Sequence, residues 1–113
     1  MIVSSQNGCG LCEIHHTLAL GAVLGDAERA HRIALDYHLV QLSKREHALV
    51  ELALKVTHTP KTITDEDFAA LRAVGLKDED ILEAIETASW FNHTNRITIS
   101  VGIVPDRKYF TGA

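Results

Sequence analysis

The two cysteines of the chain stand close together near its amino end, as Cys9-Gly10-Leu11-Cys12, and His16 follows the second cysteine by four residues. A pair with this spacing can close into a disulfide with little rearrangement, so one sulfur can resolve an attack made by the other. An imidazole one helical turn away can take up the thiol proton or, when charged, stabilise a thiolate. The pattern predicts a redox pair.

The segment that carries this pair is predicted to open a helix. At 3.6 residues per turn, Cys9 lies about 60° and His16 about 40° from Cys12 around the helix axis. A free cysteine has an ordinary pKa of about 8.5 and is mostly protonated at neutral pH. The unpaired N–H groups of a helix N-terminus favour an anion, so the helix end and the imidazole both favour thiolate.

Other kinds of site share parts of this pattern. A structural zinc site would use His15 or His16 as third ligand and a remote fourth ligand, but no second ligand pair of the usual spacing follows. A haem attachment motif requires histidine directly after the second cysteine, and Glu13 stands there, so haem is excluded. The cysteines can also be small buried hydrophobes without chemistry. The redox interpretation is favoured over these.

Composition bounds the class of protein. With 113 residues, 46% of them hydrophobic, we expect one domain over residues 1–113. Aromatic residues make up only 5%, while alanine and leucine are abundant, which favours packed helices over a sheet. The 11 basic and 15 acidic residues give a net charge of −4 without a basic run, so nucleic acid is not an expected partner.

The apolar runs are too short to cross a bilayer, which takes roughly 18 residues. The opening segment lacks the basic start and long apolar centre of a secretory signal. We therefore expect no membrane association and a cytoplasmic location. In a reducing cytosol, a close cysteine pair is more often catalytic or metal-binding than structural.

Apolar spacing and capping residues predict five helices and no strands, so the predicted class is all-α. Ser43 and Glu46 have capping-box spacing, Gly25 and Gly75 are predicted C-caps, and three acids from Asp78 onward suit a helix start. Residues 1–6 are expected to end an element that begins earlier, and the residues from Pro105 onward to form a tail. The predicted helices cover about residues 9–24, 27–37, 44–57, 65–74 and 78–101.

Five short motifs occur in an order that resembles a known family. They are Gly8-Cys9-x-x-Cys12-x-x-x-His16, Leu42-Ser43-x-Arg45-Glu46, Ile63-Thr64-x-x-Asp67, Gly75-Leu76-x-Asp78-Glu79-x-Ile81 and Phe91-Asn92-x-x-Asn95-Arg96. Together they resemble the peroxidase-related branch of the alkylhydroperoxidase AhpD-like, carboxymuconolactone decarboxylase superfamily, over nearly the whole chain.

This resemblance implies an AhpD-like helical bundle, assembly into homotrimers or hexamers, and thiol peroxidase or disulfide reductase activity. It assigns Cys12 as the sulfur that attacks a peroxide or disulfide substrate, Cys9 as the resolving cysteine and His16 as part of a proton relay. It implies no bound cofactor. An external dithiol or thioredoxin-like reductant would reduce the oxidised protein again, and a peroxiredoxin is a further candidate partner.

The chain departs from the family's pattern at two places. The family relay also uses a glutamate about a dozen residues before the first cysteine, a position that would precede Met1. We therefore expect that the chain lacks the N-terminal helices of the family. Leu11 also stands where some members carry a polar or aromatic residue between the cysteines. Both departures argue against peroxidase activity but leave disulfide chemistry intact.

Other polar residues near this pattern are candidates for supporting roles. Glu13 is turned about 100° away from Cys12 around the helix. Glu46 and Glu51 follow Arg45 on a helix whose sequence resembles the family's first helix; we favour a helix cap for Glu46 and a solvated face for Glu51. His15 lies on the other side of Cys12 from His16 and is either a second polar wall of the site or a surface residue.

Three polar residues share one face of the last predicted helix with apolar neighbours: Asn92, Asn95 and Arg96. Buried polar groups need partners, so we predict a structural hydrogen-bond network there, with a subunit interface as a candidate location.

Two rival functions stay open. One is a non-catalytic assembly or binding module without the relay glutamate, and the other is a lactone decarboxylase of the same superfamily, whose members generally lack the cysteine pair.

Overall fold

The computed structural model describes residues 1–111, and most of these residues are helical. Two 3-10 turns, Tyr37–Leu39 and Pro60–Thr62, join longer elements, and no strand occurs within the described range. The predicted all-α class is therefore confirmed. The α-helices are α1 (Ile2–Asn7), α2 (Gly10–Leu24), α3 (Ala27–Leu35), α4 (Lys44–His58), α5 (Asp65–Ala73), α6 (Asp78–Val101) and α7 (Lys108–Thr111).

All five predicted helices are present, and their ends follow the capping residues. The Ser43–Glu46 capping box opens α4, with Glu46 N–H donating to Ser43 Oγ across 3.1 Å. The prediction for α3 ran two residues too far, to position 37. Asp36 leaves the helical conformation and its side chain accepts the His38 N–H, which starts a 3-10 turn instead.

Two short helices were not predicted. The first, α1, occupies the segment that was expected only to end an earlier element, and α7 lies in the predicted tail after Pro105. Both are shorter than a helix that is stable by itself, so their conformation depends on tertiary contacts. The pattern of apolar residues is too brief in each to reveal them.

The longer helices pack in pairs that α1 connects. Helix α2 runs along α3 and α4 runs along α6, while α1 contacts all four of them. The α2–α3 approach is close at Gly21, where an added Cβ would meet the Ala27 Cα at 3.3 Å. A side chain at position 21 would push these two helices apart.

A compact apolar cluster stabilises the packing of the helices from α4 onward. It brings α4, α5 and the start of α6 into contact through four buried side chains: Leu52, Leu71, Leu76 and Ile81. Among the helices of residues 1–111, none is both long and apolar enough to cross a lipid bilayer.

Candidate active site

The cysteine pair lies in the turn between α1 and α2. Gly8 ends α1 with a left-handed backbone, φ +67°, a conformation that glycine adopts without steric cost. The N–H of Cys9 then donates to the carbonyl of Ser4 across 3.2 Å, which ties the turn back to α1. Cys9 itself is the N-cap of α2, so the helix begins at Gly10, one residue after the predicted start.

The two sulfurs are joined. Cys9 and Cys12 form a disulfide with their Cα atoms 5.2 Å apart, within the usual range for such bonds. The Cys12 N–H also points at the Cys9 sulfur, at 3.3 Å, so a helix N-terminal donor faces the pair. The two sulfurs are therefore close enough to bond, as a redox pair requires.

Both cysteines are buried. Cys9 is 1% exposed and Cys12 is 8% exposed, so Cys12 is the more accessible of the two. A bulky reductant cannot reach either sulfur in this conformation, whereas a small hydroperoxide needs much less space. Reduction by a protein dithiol requires the turn to open locally.

His16 lies one turn beyond Cys12 on α2 and is half-buried. Its imidazole meets the Phe91 ring edge-on, with the ring centres 4.5 Å apart. Burial lowers the pKa of His16 below 6.5, and the positive charges of the Met1 amino group and of His15 lower that pKa further. This environment therefore favours the neutral imidazole, the form that can accept a proton. No hydrogen bond joins it to either sulfur within residues 1–111 of this oxidised form.

His15 points away from this contact. It is exposed, and its ring packs against Tyr109 of α7 with the ring centres 4.9 Å apart. The C-terminal segment therefore folds back to the start of α2, which the sequence pattern did not reveal. His15 borders the site at its surface edge.

The candidate carboxylates are engaged elsewhere or exposed. Glu46 accepts the Ser43 N–H at 2.9 Å and approaches Arg29 at 3.5 Å, in agreement with the predicted cap. Glu51 is 48% exposed in its side chain and lies 3.8 Å from His47, in agreement with a solvated face. The Glu13 backbone N–H donates to the Cys9 carbonyl at 2.8 Å, but no side-chain hydrogen bond connects Glu13 or either of these residues to the cysteine pair in the described part of the chain.

The predicted polar network on α6 is present, and its partners lie on α1 and α4. Asn92 is 8% exposed and Asn95 is fully buried. The Asn95 carboxamide and the Ser4 hydroxyl exchange hydrogen bonds of 3.0 and 3.1 Å. Asn92 accepts from Asn7 at 2.9 Å. The network therefore lies directly beneath the turn that carries Cys9.

Within residues 1–111, neither a metal-binding group nor the cavity between α4 and α5 involves the cysteine pair. Within residues 1–111, no group of three or more His, Cys, Asp or Glu side chains is placed to hold one metal ion. A cavity of about 670 Å³ opens between α4 and α5, lined by Leu52, Leu71 and Glu51 among others. Because Cys9, Cys12 and His16 do not line it, we do not identify this cavity with the redox site.

Two solved structures are similar to this chain. One is an uncharacterized peroxidase-related protein from a Silicibacter species, with TM-score 0.92 and 28% identity, covering 97% of this chain and 58% of that chain. The other is an alkylhydroperoxidase AhpD core, an uncharacterized peroxidase-related protein from Ralstonia eutropha, with TM-score 0.90 and 28% identity, covering 96% of this chain and 57% of that chain. No protein-family model and no curated protein matches the chain.

The chain spans less than three fifths of the length of either solved relative, yet nearly all of it is superposed. The resemblance inferred from the five motifs is thereby confirmed. This chain has the all-helical fold of the AhpD-like, peroxidase-related proteins.

Proposed function

We propose that the chain carries a thiol-dependent peroxidase and disulfide reductase site of the AhpD-like type. The observation that carries the proposal is the bonded Cys9–Cys12 pair at the N-terminus of α2, one turn before the half-buried imidazole of His16. The similarity to peroxidase-related proteins supports the same chemistry. Cys12 is assigned the attack because it is the more exposed of the two residues and because the family resemblance gives it that role.

The reaction begins with the reduced dithiol. His16 accepts the Cys12 proton, and the thiolate attacks one peroxide oxygen, so that an S–O bond forms and the O–O bond breaks. The departing alkoxide takes a proton and leaves as alcohol or water. Cys12 is now a sulfenic acid. Cys9 attacks its sulfur, the S–S bond forms, and hydroxide leaves as water with the Cys9 proton.

An external dithiol completes the cycle. Its thiolate attacks the Cys9–Cys12 disulfide to give a mixed disulfide, and its second thiol resolves that species, so the partner is oxidised while the pair is reduced. A thioredoxin-like protein or a peroxiredoxin is the proposed class of macromolecular partner. Because both sulfurs are buried, this exchange includes local opening of the turn.

The proposed setting is a cytoplasmic homotrimer or hexamer. Several large apolar side chains are more than half exposed in the isolated chain, among them Val23 at 83%, Leu35 at 79% and Trp90 at 61%. The proposed assembly would bury side chains of this kind, which a monomer leaves in contact with water. A reducing cytosol would keep the pair available as a dithiol.

Steady-state peroxide consumption with an excess of small dithiol tests the proposal. Cys12→Ser is expected to lower the rate by more than about a hundredfold because the nucleophile is lost. His16→Gln is expected to lower it by about a hundredfold because the proton acceptor is lost. Consumption that survives Cys12→Ser would overturn the catalytic assignment.

A non-catalytic assembly module is the second candidate. The burial of both sulfurs and the engagement of Glu46 by Ser43 and Arg29 favour it. Thiol reactivity separates the two functions. The peroxidase predicts that Cys12 of reduced protein alkylates faster at pH 7 than a small free thiol, and the module predicts that it does not.

A further inference from the structure

The side-chain amide of Asn92 makes four hydrogen bonds, which is the full capacity of a carboxamide. Its Nδ2 donates to Thr57 Oγ1 of α4 at 3.1 Å and to the Ala88 carbonyl of α6 at 2.9 Å. Its Oδ1 accepts from Asn7 Nδ2 of α1 at 2.9 Å and from Arg96 Nη1 at 2.8 Å. Three helices therefore converge on one buried group.

Among the hydrogen-bond partners of Asn92, Asn7 on α1 lies closest in sequence to the cysteine pair. Asn7 is the last residue of α1, followed by left-handed Gly8 and then Cys9. The other α6 contact leads to the same turn, because Ser4 bonds Asn95 through its hydroxyl and accepts the Cys9 N–H through its carbonyl. Side chains on α6 thus contribute to the position of Cys9 through α1.

Cys12 is placed by a different helix. It lies in the first turn of α2, which packs mainly along α3, whereas α1 packs against α4 and α6 as well as against α2 and α3. Cys9 stands between α1 and α2, because its N–H donates to the Ser4 carbonyl and its own carbonyl accepts the Glu13 N–H at 2.8 Å. When the disulfide is closed, the S–S bond fixes the distance between the two sulfurs. When it is reduced, that distance depends on the short peptide segment between them and on noncovalent contacts such as those of α1.

We propose that Asn92 is a positioning residue that, through Asn7, holds Cys9 within bonding distance of Cys12 in the reduced protein and so favours disulfide closure. This deepens the proposed function, since it treats the pair as redox-active. Loss of the Asn92 bonds frees the turn in the dithiol but little in the disulfide. The dithiol gains conformational entropy, and the equilibrium shifts toward it.

The equilibrium with glutathione measures this directly. Protein dithiol and oxidised glutathione give protein disulfide and two reduced glutathione molecules, and the equilibrium constant is the effective concentration of one cysteine at the other. Intact-mass spectrometry after acid quench and alkylation counts both protein forms. Asn92→Ala is expected to lower the constant by about tenfold, the effect of one net buried hydrogen bond.

Further variants keep the test informative if Asn92→Ala folds poorly. Asn7→Ala alters a half-buried residue and is expected to lower the constant in the same direction. Asn92→Asp keeps an acceptor for Asn7 and Arg96 and loses the donors to Thr57 and Ala88, so its shift should be smaller than that of Asn92→Ala. Ser43→Ala removes a capping bond at the far end of α4 and should leave the constant unchanged.

An unchanged constant in Asn7→Ala, or an equal shift in Ser43→Ala, would overturn the positioning role. The readout is independent of peroxide turnover. A shifted constant in a protein that consumes no peroxide would leave the positioning role standing while the proposed function fails. An unchanged constant in a protein that does consume peroxide would refute the positioning role and leave the proposed function standing.

Discussion

The imidazole of His16 contacts the Phe91 ring edge-on across 4.5 Å, with the ring planes inclined by 75°. The contact joins the candidate proton acceptor on α2 to the apolar face of α6, two helices that meet over only a short stretch. It removes water from one side of the imidazole. Burial of this kind disfavours the charged form of a histidine.

We expect the pKa of His16 in the folded protein to lie below 6.5, with burial as the main cause. Phe91→Ala rehydrates the ring and should raise that pKa toward 6.5. A pH titration of the His16 ring proton by NMR measures both values. A wild-type midpoint above 6.5 would contradict the burial described here.

The same shift predicts a pH dependence of stability. Because the folded protein binds this proton less readily than the unfolded chain, neutral His16 contributes stability that is fully present above about pH 6.5 and lost as the pH falls through the folded-state pKa. The urea midpoint of wild type should therefore fall across this window more than that of His16→Gln. Urea midpoints that fall equally in the two proteins would contradict this contribution of His16.

Leu71 is expected to carry a large share of the stability of the α4–α5–α6 end. It is 3% exposed within the buried cluster, so Leu71→Ala should lower the free energy of unfolding by about 2–5 kcal/mol. Leu82 is 57% exposed, and Leu82→Ala should change it by less than about 0.5 kcal/mol. Urea denaturation followed by circular dichroism measures the free energy of unfolding of both variants. Equal losses in the two would contradict the placement of Leu71 in a buried cluster.

Asn95 and Ser4 form a closed polar pair at full burial of both residues. Asn95→Ala should lower the free energy of unfolding by about 1–3 kcal/mol, because the Ser4 hydroxyl is left buried without its partner. Adding Ser4→Ala to that variant should cost little more. A double variant whose cost equals the sum of the two single variants would contradict a direct bond between them.

Glu46 is expected to serve stability and not peroxide chemistry. The Ser43 backbone N–H is the main cause that lowers the pKa of Glu46 below 4.5, so its contribution to stability is present above about pH 4.5 and lost as the pH falls through the lowered pKa. Glu46→Gln should lose this pH dependence. Its peroxide consumption, like that of the exposed Glu51→Gln control, should stay within about twofold of wild type. A large loss of activity in either variant would assign a relay role to that carboxylate.

Local signals predicted most of the fold. Helix α6 was predicted with the bounds that the structure shows, because acids stand at its start and apolar residues recur along it; the structure adds left-handed Gly102 as its C-cap. The Ser43–Glu46 box likewise marked the start of α4. Helix α3 was predicted too long because Asp36 is compatible with a helix by propensity and stops it only through its own bonds to the next turn.

The candidate site was predictable only where its residues are near in sequence. Cys9, Cys12 and His16 share one turn region, and their spacing alone indicated the pair. The Asn7–Asn92 bond joins residues 85 positions apart, and the His16–Phe91 contact also depends on how α2 and α6 meet. A polar face on α6 indicated that partners exist, but not that they lie on α1.

The most direct measurement is a single turnover of the reduced protein with one equivalent of hydroperoxide, followed by intact-mass spectrometry. Wild type is predicted to lose two hydrogen atoms as the Cys9–Cys12 disulfide closes, and Cys9→Ser to gain one oxygen atom at Cys12 because the sulfenic acid cannot be resolved. A wild-type mass that stays at the dithiol value, with peroxide unconsumed, would contradict the proposed thiol peroxidase.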